Sequence, residues 1–248
     1  MPVVETEAVV LRTHRLGETD KIASLLTRSL GRCRVAASGA QRTRSRFGSA
    51  LEPLSYIRAW VFERENRDLQ RLNSAEVIES FFSIQRDYRI QVATQYLAEV
   101  TESFLPEREV NERAFRLLLA VLRALKSSGE VTRPLLYFNY WMLRLGGFLP
   151  HLNQCGRCGT SLGEAGAFYG QGSDGLYCAE CRRPATPVEI SRQARAMGET
   201  LRGSRLEDWL RRQEAPAGAK QLRLFLEEVI QTHLERKLVT RALLAEEI

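Results

Sequence analysis

The sequence lacks the signatures that announce most enzymes. It has no G-x-x-x-x-G-K-[ST] run, which excludes a Walker-type phosphate loop, and no G-x-G-x-x-G after a candidate strand, which excludes the dinucleotide-binding turn. No G-x-S-x-G, H-E-x-x-H or tight carboxylate cluster supplies a nucleophile or a catalytic metal set. Histidine is scarce, with His14, His151 and His233 the only three. No apolar run approaches the ~20 residues that span a bilayer. The opening residues, Pro2-Val3-Val4-Glu5-Thr6-Glu7, carry acids where a secretory leader carries bases. The expectation is a cytoplasmic binding protein, not an enzyme, with no nucleotide cofactor and no membrane association. Lysine is also nearly missing. Lys21, Lys126, Lys220 and Lys237 are the only lysines among 36 basic residues. The rest are arginines, whose planar fork suits phosphates and base stacking better than an ammonium does.

What remains is an ordinary globular composition with a positive balance. A chain of 248 residues, 44% hydrophobic and 27% charged, suits one large domain or two small ones. A net charge of +6 and a pI near 9.3 raise nucleic acid as a partner. Residues 1–80 and 81–248 each carry a surplus of three positive charges. Neither part is basic as a whole, so a binding face has to be local.

Two C-x-x-C pairs, Cys155-Gly156-Arg157-Cys158 and Cys178-Ala179-Glu180-Cys181, stand nineteen residues apart. That is the spacing of a four-thiolate zinc site. Two disulfides are the competing reading, and a chain without a secretory leader disfavours them. A catalytic zinc keeps three protein ligands and an open position; here four cysteines close the site, with only His151 nearby. The spacing predicts one structural zinc held by Cys155, Cys158, Cys178 and Cys181. The intervening segment, with Gly163, Gly166, Gly170, Gly172 and Gly175, holds few large apolar residues, so a metal supplies the order a core does not. Four thiolates on a dication leave about minus two charges, which Arg157, Arg182 and Arg183 are placed to offset; a contact of these arginines with a partner or DNA stays open. Cys33 is unpaired in sequence and reads as a small core thiol.

Short β-branched runs dominate the first part. Strands are expected over residues 3–11, 22–27, 33–37, 54–62 and 69–74, with turns at Gly17-Glu18-Thr19-Asp20 and Gly31. Five short strands fit an oligonucleotide/oligosaccharide-binding (OB) barrel, though periodicity alone does not separate this from an SH3-like barrel. Near residue 76 the pattern turns helical. A helix is expected to begin over Glu76–Ser83 and continue from Asp87 to Phe104, where Pro106 follows. A second spans about 107–129, and a third starts near Pro134, is apolar nearly all round, and ends at Gly146-Gly147. After the cysteines, Ser191 is placed to cap a helix to Leu201, Ser204-x-x-Glu207 matches a capping box, and a last helix covers about 217–238. The fold class expected is α+β: an OB barrel over 1–80, then a helical domain over 81–248 with an inserted four-cysteine zinc module over about 150–185.

From Lys21 to Leu51 the chain carries seven bases, Lys21, Arg28, Arg32, Arg34, Arg42, Arg44 and Arg46, and no acid. Such a run is either a solvated loop or a face whose self-repulsion a polyanion relieves. Phe47 at its end suits a stacking surface or a core anchor. A second cationic candidate is Arg192, Arg195, Arg202 and Arg205, partly at helical spacing; the competing reading is a solvated helix face.

Taken in order, several segments resemble the bacterial recombination and repair protein O (RecO) family: Glu7-Ala8-Val9-Val10-Leu11-Arg12, Leu16-Gly17-Glu18-Thr19-Asp20-Lys21, Leu26-Thr27-Arg28 with Gly31, Ser38-Gly39-Ala40-Gln41-Arg42 with Ser45-Arg46, and Leu51-Glu52-Pro53-Leu54. The helical remainder with its cysteine module fits the same family over the full length. The resemblance implies a non-enzymatic recombination mediator in DNA repair and recombination after DNA damage. Such proteins bind single- and double-stranded DNA and anneal complementary strands. With the partner RecR they help load the RecA recombinase onto DNA coated by single-strand-binding protein (SSB), in the nucleoid. DNA is then expected on the barrel face bearing the seven bases. Cysteine spacing and basicity alone favour an alternative, a zinc-ribbon RNA-binding or transcription-associated protein. A scaffold docking acidic or apolar tails also stays open.

Overall fold

The computed structural model describes residues 2–63, 67–182, 187–212, 216–234 and 236–247. The chain divides into two compact units, Met1–Lys126 and Ser127–Ile248.

In the first unit, β1 (Val3–Leu16), β2 (Asp20–Thr27), β3 (Arg32–Ala37), β4 (Tyr56–Phe62) and β5 (Leu69–Glu79) close a barrel in the order β1-β2-β3-β5-β4, with β4 returning to β1. Neighbours are antiparallel except β3 and β5, which run parallel from Arg34↔Leu69 to Ala36↔Arg71. This is the OB arrangement, and the SH3-like alternative falls. The interior alternates alanines with branched residues: Ala8, Val10, Ala23, Leu25, Val35, Ala37, Ile57, Ala59, Val61 and Leu72 are all buried. Small residues between large ones let five strands curl tightly around a filled core. A 3₁₀ turn over Gly48–Leu51 contributes Ala50 and Leu51 to that core, and Phe47 just before it is only 3% exposed. Phe47 is therefore a core anchor and not a stacking platform.

Two strands are longer than expected. β1 continues to Leu16 because β2 pairs with it down to Leu16↔Asp20, across an irregularity between Val10 and Arg12. β5 runs to Glu79, where a helix was expected from Glu76. Glu76, Val77 and Glu79 pair with Arg58, Ile57 and Tyr56 of β4, and that ladder overrides local helix propensity. The first helix, α1 (Tyr88–Phe104), starts where the Asp87 carboxylate accepts from the Arg89 N–H at 2.9 Å. α2 (Glu112–Ser128) follows. The intervening segment lies against the β2–β3 turn: Arg108 N–H donates to Arg32 O at 2.8 Å, and a Cβ at Gly31 (φ +69°) would collide with the Glu109 backbone. Only glycine fits there, on both counts.

The second unit holds α3 (Thr132–Leu145), the ribbon of β6 (Ala167–Tyr169) and β7 (Val188–Ile190), then α4 (Arg192–Gly203), α5 (Leu206–Arg211), α6 (Pro216–Thr232) and α7 (Val239–Glu247). α6 packs on α3 and α4, with Leu222, Phe225, Leu226, Val229 and Ile230 inaccessible to solvent. α3 is the buried element its composition predicts, with Leu135, Leu136, Phe138, Met142 and Leu143 fully covered. Ser191 caps α4 by accepting from Ala194 N–H at 3.2 Å. The predicted capping box does not form: Ser204 closes α4, and Arg205 stands at the start of α5 without a side-chain cap. The last predicted helix, about 217–238, ends early, and α7 lies wholly beyond its predicted range. α6 stops at Thr232, and the Gln231 side chain bridges the break by donating to Arg236 O and accepting from Leu238 N–H. Among the described residues, no helix is long and apolar enough to cross a membrane.

Candidate metal centre and candidate nucleic-acid interface

The four cysteine sulfurs of the second unit lie within 4.8 Å of one another. Cys158 Sγ and Cys178 Sγ are 3.9 Å apart. A regular tetrahedron with Zn–S near 2.3 Å has edges of roughly 3.8 Å, so the donors fit zinc. Each pair is wound into a knuckle. Gly159 N–H donates to Cys155 O at 2.9 Å, and Arg182 N–H to Cys178 O at 3.0 Å. Gly156 N–H donates to Leu176 O at 2.8 Å and holds the two knuckles together. The thiols influence one another strongly. Burial opposes ionisation of Cys155, yet the backbone N–H groups of Cys158, Cys178 and Arg157 bring it down to about 6. The Thr160 hydroxyl and N–H lower Cys158. Cys181, hydrogen-bonded to Cys178 and Cys158, is pushed up to about 12. Mutual repulsion opposes placing four thiolate charges together, and a dication offsets that repulsion.

The module is tied to helices of its own unit. Arg195 of α4 is 1% exposed, and its guanidinium donates to the carbonyls of Gly163 (3.0 Å), Ala165 (2.7 Å) and Leu152 (3.3 Å). On α6, Glu228 accepts from Gly172 N–H at 2.8 Å and pairs with Arg241 at 2.6 Å. The Tyr169 and Phe225 rings meet edge-on at 5.1 Å. Arg195 therefore leaves the predicted cationic set: it brackets the module from inside because three carbonyls of irregular backbone need a donor. Of the other three, Arg192 pairs with Glu164 at 2.6 Å and Arg202 with Glu199 at 3.8 Å, while Arg205 is exposed. The guanidinium of Arg182 lies over the Phe168 ring at 5.1 Å. Arg157 is exposed. Arg183 lies outside the described residues.

The first unit separates the seven predicted barrel bases into two groups. Arg28 pairs with Glu7 (3.0 Å) and Glu112 (2.9 Å); Arg32 and Arg34 both reach Glu107, at 3.1 and 3.2 Å. Arg32, whose side chain is 16% exposed, also donates to Leu105 O at 2.9 Å. These three arginines fasten the segment before α2 and the first residue of α2 to the barrel. Arg32→Ala is expected to lower the stability of this unit by about 1–3 kcal/mol, with affinity for an oligothymidylate within about threefold of wild type. Thermal melts and binding titrations check this; an unchanged melt with lost affinity would return Arg32 to the interface.

The other four bases, Lys21, Arg42, Arg44 and Arg46, make no ion pair among the described residues, and the three arginines are exposed. Lys21 and Arg42 line a cleft of about 570 Å³ between the β1–β2 turn and the loop after β3. Thr13, His14, Arg15, Gln41, Thr43 and Ser45 line it too; among the described residues Glu52 is the one acid in the wall, and the wall holds no Phe, Tyr or Trp. Charge counting over residues 21–51 missed His14 and Arg15, which sit on the part of β1 beyond Leu11; the turn residues Gly17–Asp20 were the signal that the strand reaches that far. Arg46 stands over the buried Phe47 ring at 5.0 Å. A polar, cationic cleft without a Phe, Tyr or Trp platform suits phosphates and sugars more than base faces.

Fold and sites together define a protein with an OB-type barrel, followed by a helical unit that carries a four-thiolate cluster. The model for "Recombination protein O N terminal" matches residues 1–81, and that for "Recombination protein O C terminal" matches residues 85–242. The chain is 40% identical over 240 residues to the "DNA repair protein RecO" of Koribacter versatilis (strain Ellin345), covering 97% of each chain. It is 34% identical over 244 residues to that of Nocardioides sp. (strain ATCC BAA-499 / JS614), covering 95% of this chain and 96% of the relative. The protein of the same name from Anaeromyxobacter sp. (strain K) is 32% identical over 248 residues, 99% of this chain and 97% of the relative. The chain belongs to the RecO family of DNA repair proteins.

Proposed function

We infer that the protein is a non-enzymatic recombination mediator that binds single- and double-stranded DNA through the barrel, taken as residues 1–80. It anneals complementary strands and, together with RecR, helps load RecA onto SSB-coated single strands. It works in the cytoplasm, at the nucleoid. The observation that carries this reading is the polar cleft, free of Phe, Tyr and Trp, whose bases make no ion pair among the described residues, on a chain of this family. Annealing asks for neutralised phosphates on two strands while base edges stay free to pair, and a backbone-gripping cleft meets that need. The helical part, residues 81–248, holds one structural zinc on Cys155, Cys158, Cys178 and Cys181, and the metal acts there as a cross-link. Complementary labelled oligonucleotides, naked and SSB-coated, test the function. The expected result is faster annealing in both states. No acceleration of either, or clearly tighter binding to RNA than to single-stranded DNA, would overturn it.

A further inference from the structure

A second acid, Asp20, stands just behind the cleft wall, where a phosphate-binding surface has no electrostatic use for it. Asp20 begins β2, next to Lys21, and makes no ion pair among the described residues. Its carboxylate is instead a backbone acceptor. Gly39 N–H, at the head of the basic loop, donates to Asp20 Oδ1 at 2.8 Å, and the Thr19 hydroxyl donates to the same oxygen at 2.8 Å. The link is doubled around it. Gln41 N–H donates to Thr19 O at 2.8 Å, and Gln41 Nε2 donates to Asp20 O at 2.7 Å. The turn between β1 and β2 and the start of the loop after β3, nineteen residues apart in sequence, thus close on one another. Arg42 follows directly, with its N–H donating to Gly39 O at 3.2 Å. Gly39 holds φ at +76°, a conformation other residues adopt at a cost. The carboxylate is drawn below its ordinary range chiefly by the Gly39 N–H and the Thr19 hydroxyl.

We propose that Asp20 is a positioning residue of the nucleic-acid interface: its carboxylate clasps Gly39 and so holds Arg42 across the cleft from Lys21 and Arg15. The proposal rests on the cleft being where DNA binds. It opposes simple electrostatics, in which deleting an acid beside a phosphate site tightens binding and keeping the acid weakens it. A free loop has to be ordered at the moment of binding, whereas a clasped loop is ordered beforehand.

The test is a titration of a labelled oligothymidylate with the full-length protein and its Asp20→Ala, Asp20→Asn, Thr19→Val and Lys21→Ala/Arg42→Ala variants, at several salt concentrations. Asp20→Ala is expected to weaken binding roughly tenfold, the scale of one charge-assisted hydrogen bond. Asp20→Asn keeps the Oδ1 acceptor and loses the charge. It is expected to bind within about twofold of wild type, a rescue that neither electrostatics nor a general loss of folding produces. Thr19→Val removes one donor to Asp20 outside the cleft wall and is expected to weaken binding by about threefold. If Asp20→Ala binds as tightly as wild type or tighter while Lys21→Ala/Arg42→Ala is weakened, the positioning role is overturned and the interface stands. If Lys21→Ala/Arg42→Ala binds like wild type, the location of the interface fails, and the role of Asp20 with it.

Discussion

Replacing Cys178 and Cys181 together by alanine is expected to release the metal and to lower the melting temperature of the protein by roughly 10 °C or more, at about 2–4 °C per kcal/mol for a chain of this size. The expectation comes from what the module has to hold it in place. Between Cys155 and Arg182 only Leu162, Ala167, Tyr169 and Leu176 bring buried apolar surface. The remaining order comes from the knuckle hydrogen bonds and from polar ties to α4 and α6. Those ties work in both directions. If the knuckles open, Arg195 is left buried without the carbonyls of Gly163 and Ala165, and Glu228 without the Gly172 N–H. An uncompensated buried guanidinium alone costs several kcal/mol. The loss therefore spreads from the module into the helices it touches, and calorimetry is expected to show a lowered transition. Metal analysis should give one zinc per wild-type chain and none in the variant. Thiol titration of native wild type should find the four module cysteines protected. Cys33, whose thiol burial pushes up to about 12, should be inert in both proteins. Native wild-type protein with no zinc and four reactive module thiols would sink the metal assignment. Binding of an oligothymidylate by the folded variant is expected to stay within about threefold of wild type, because no base of the cleft is changed.

Changing Arg42, Arg44 and Arg46 together to alanine is expected to weaken single-strand binding by about two orders of magnitude at low salt. All three are exposed, and none is held by a carboxylate among the described residues, so each is available to displace a counterion from DNA. With about five phosphates neutralised by these three, Lys21 and Arg15, log affinity should fall with log salt at a slope near −3.5 at about −0.7 per contact. The triple variant should flatten that slope by about 2. The slope discriminates better than the affinity. A variant that is merely misfolded loses active protein without changing the slope of the remainder. The barrel should survive the change, because all three arginines are exposed and Phe47, which Arg46 only covers, stays in place as the anchor. Unchanged affinity and slope would remove DNA from this loop.

How far these sites could be read in sequence depends on how local each is. The cysteine quartet was legible because a tetrahedral thiolate site is encoded in spacing: two C-x-x-C pairs and a loop long enough to bring them together. The strands were legible as elements, but their ends were not. β1 gained five residues and β5 displaced the start of a predicted helix because a partner strand supplied the hydrogen bonds, and no window of sequence contains that partner. The capping box at Ser204 failed for a related reason. Its pattern is local, but Ser204 was already used to close α4, and α5 began one residue later.

The seven bases from Lys21 to Leu51 show the division most clearly. Sequence alone determined that this stretch is basic and free of acids, and that four cysteines at zinc spacing interrupt a helical second part. These are properties of neighbouring residues. Only the tertiary structure decided which bases are free. Arg28, Arg32 and Arg34 met Glu7, Glu107 and Glu112, two of them from a segment more than seventy residues away, while among the described residues Lys21, Arg42, Arg44 and Arg46 pair with no acid. It also turned Arg195 inward to irregular carbonyls and set the Asp20 carboxylate against Gly39. Charge pairs and buried hydrogen bonds act over a few ångströms, and which groups come within that distance is fixed by chain topology, not by proximity in sequence.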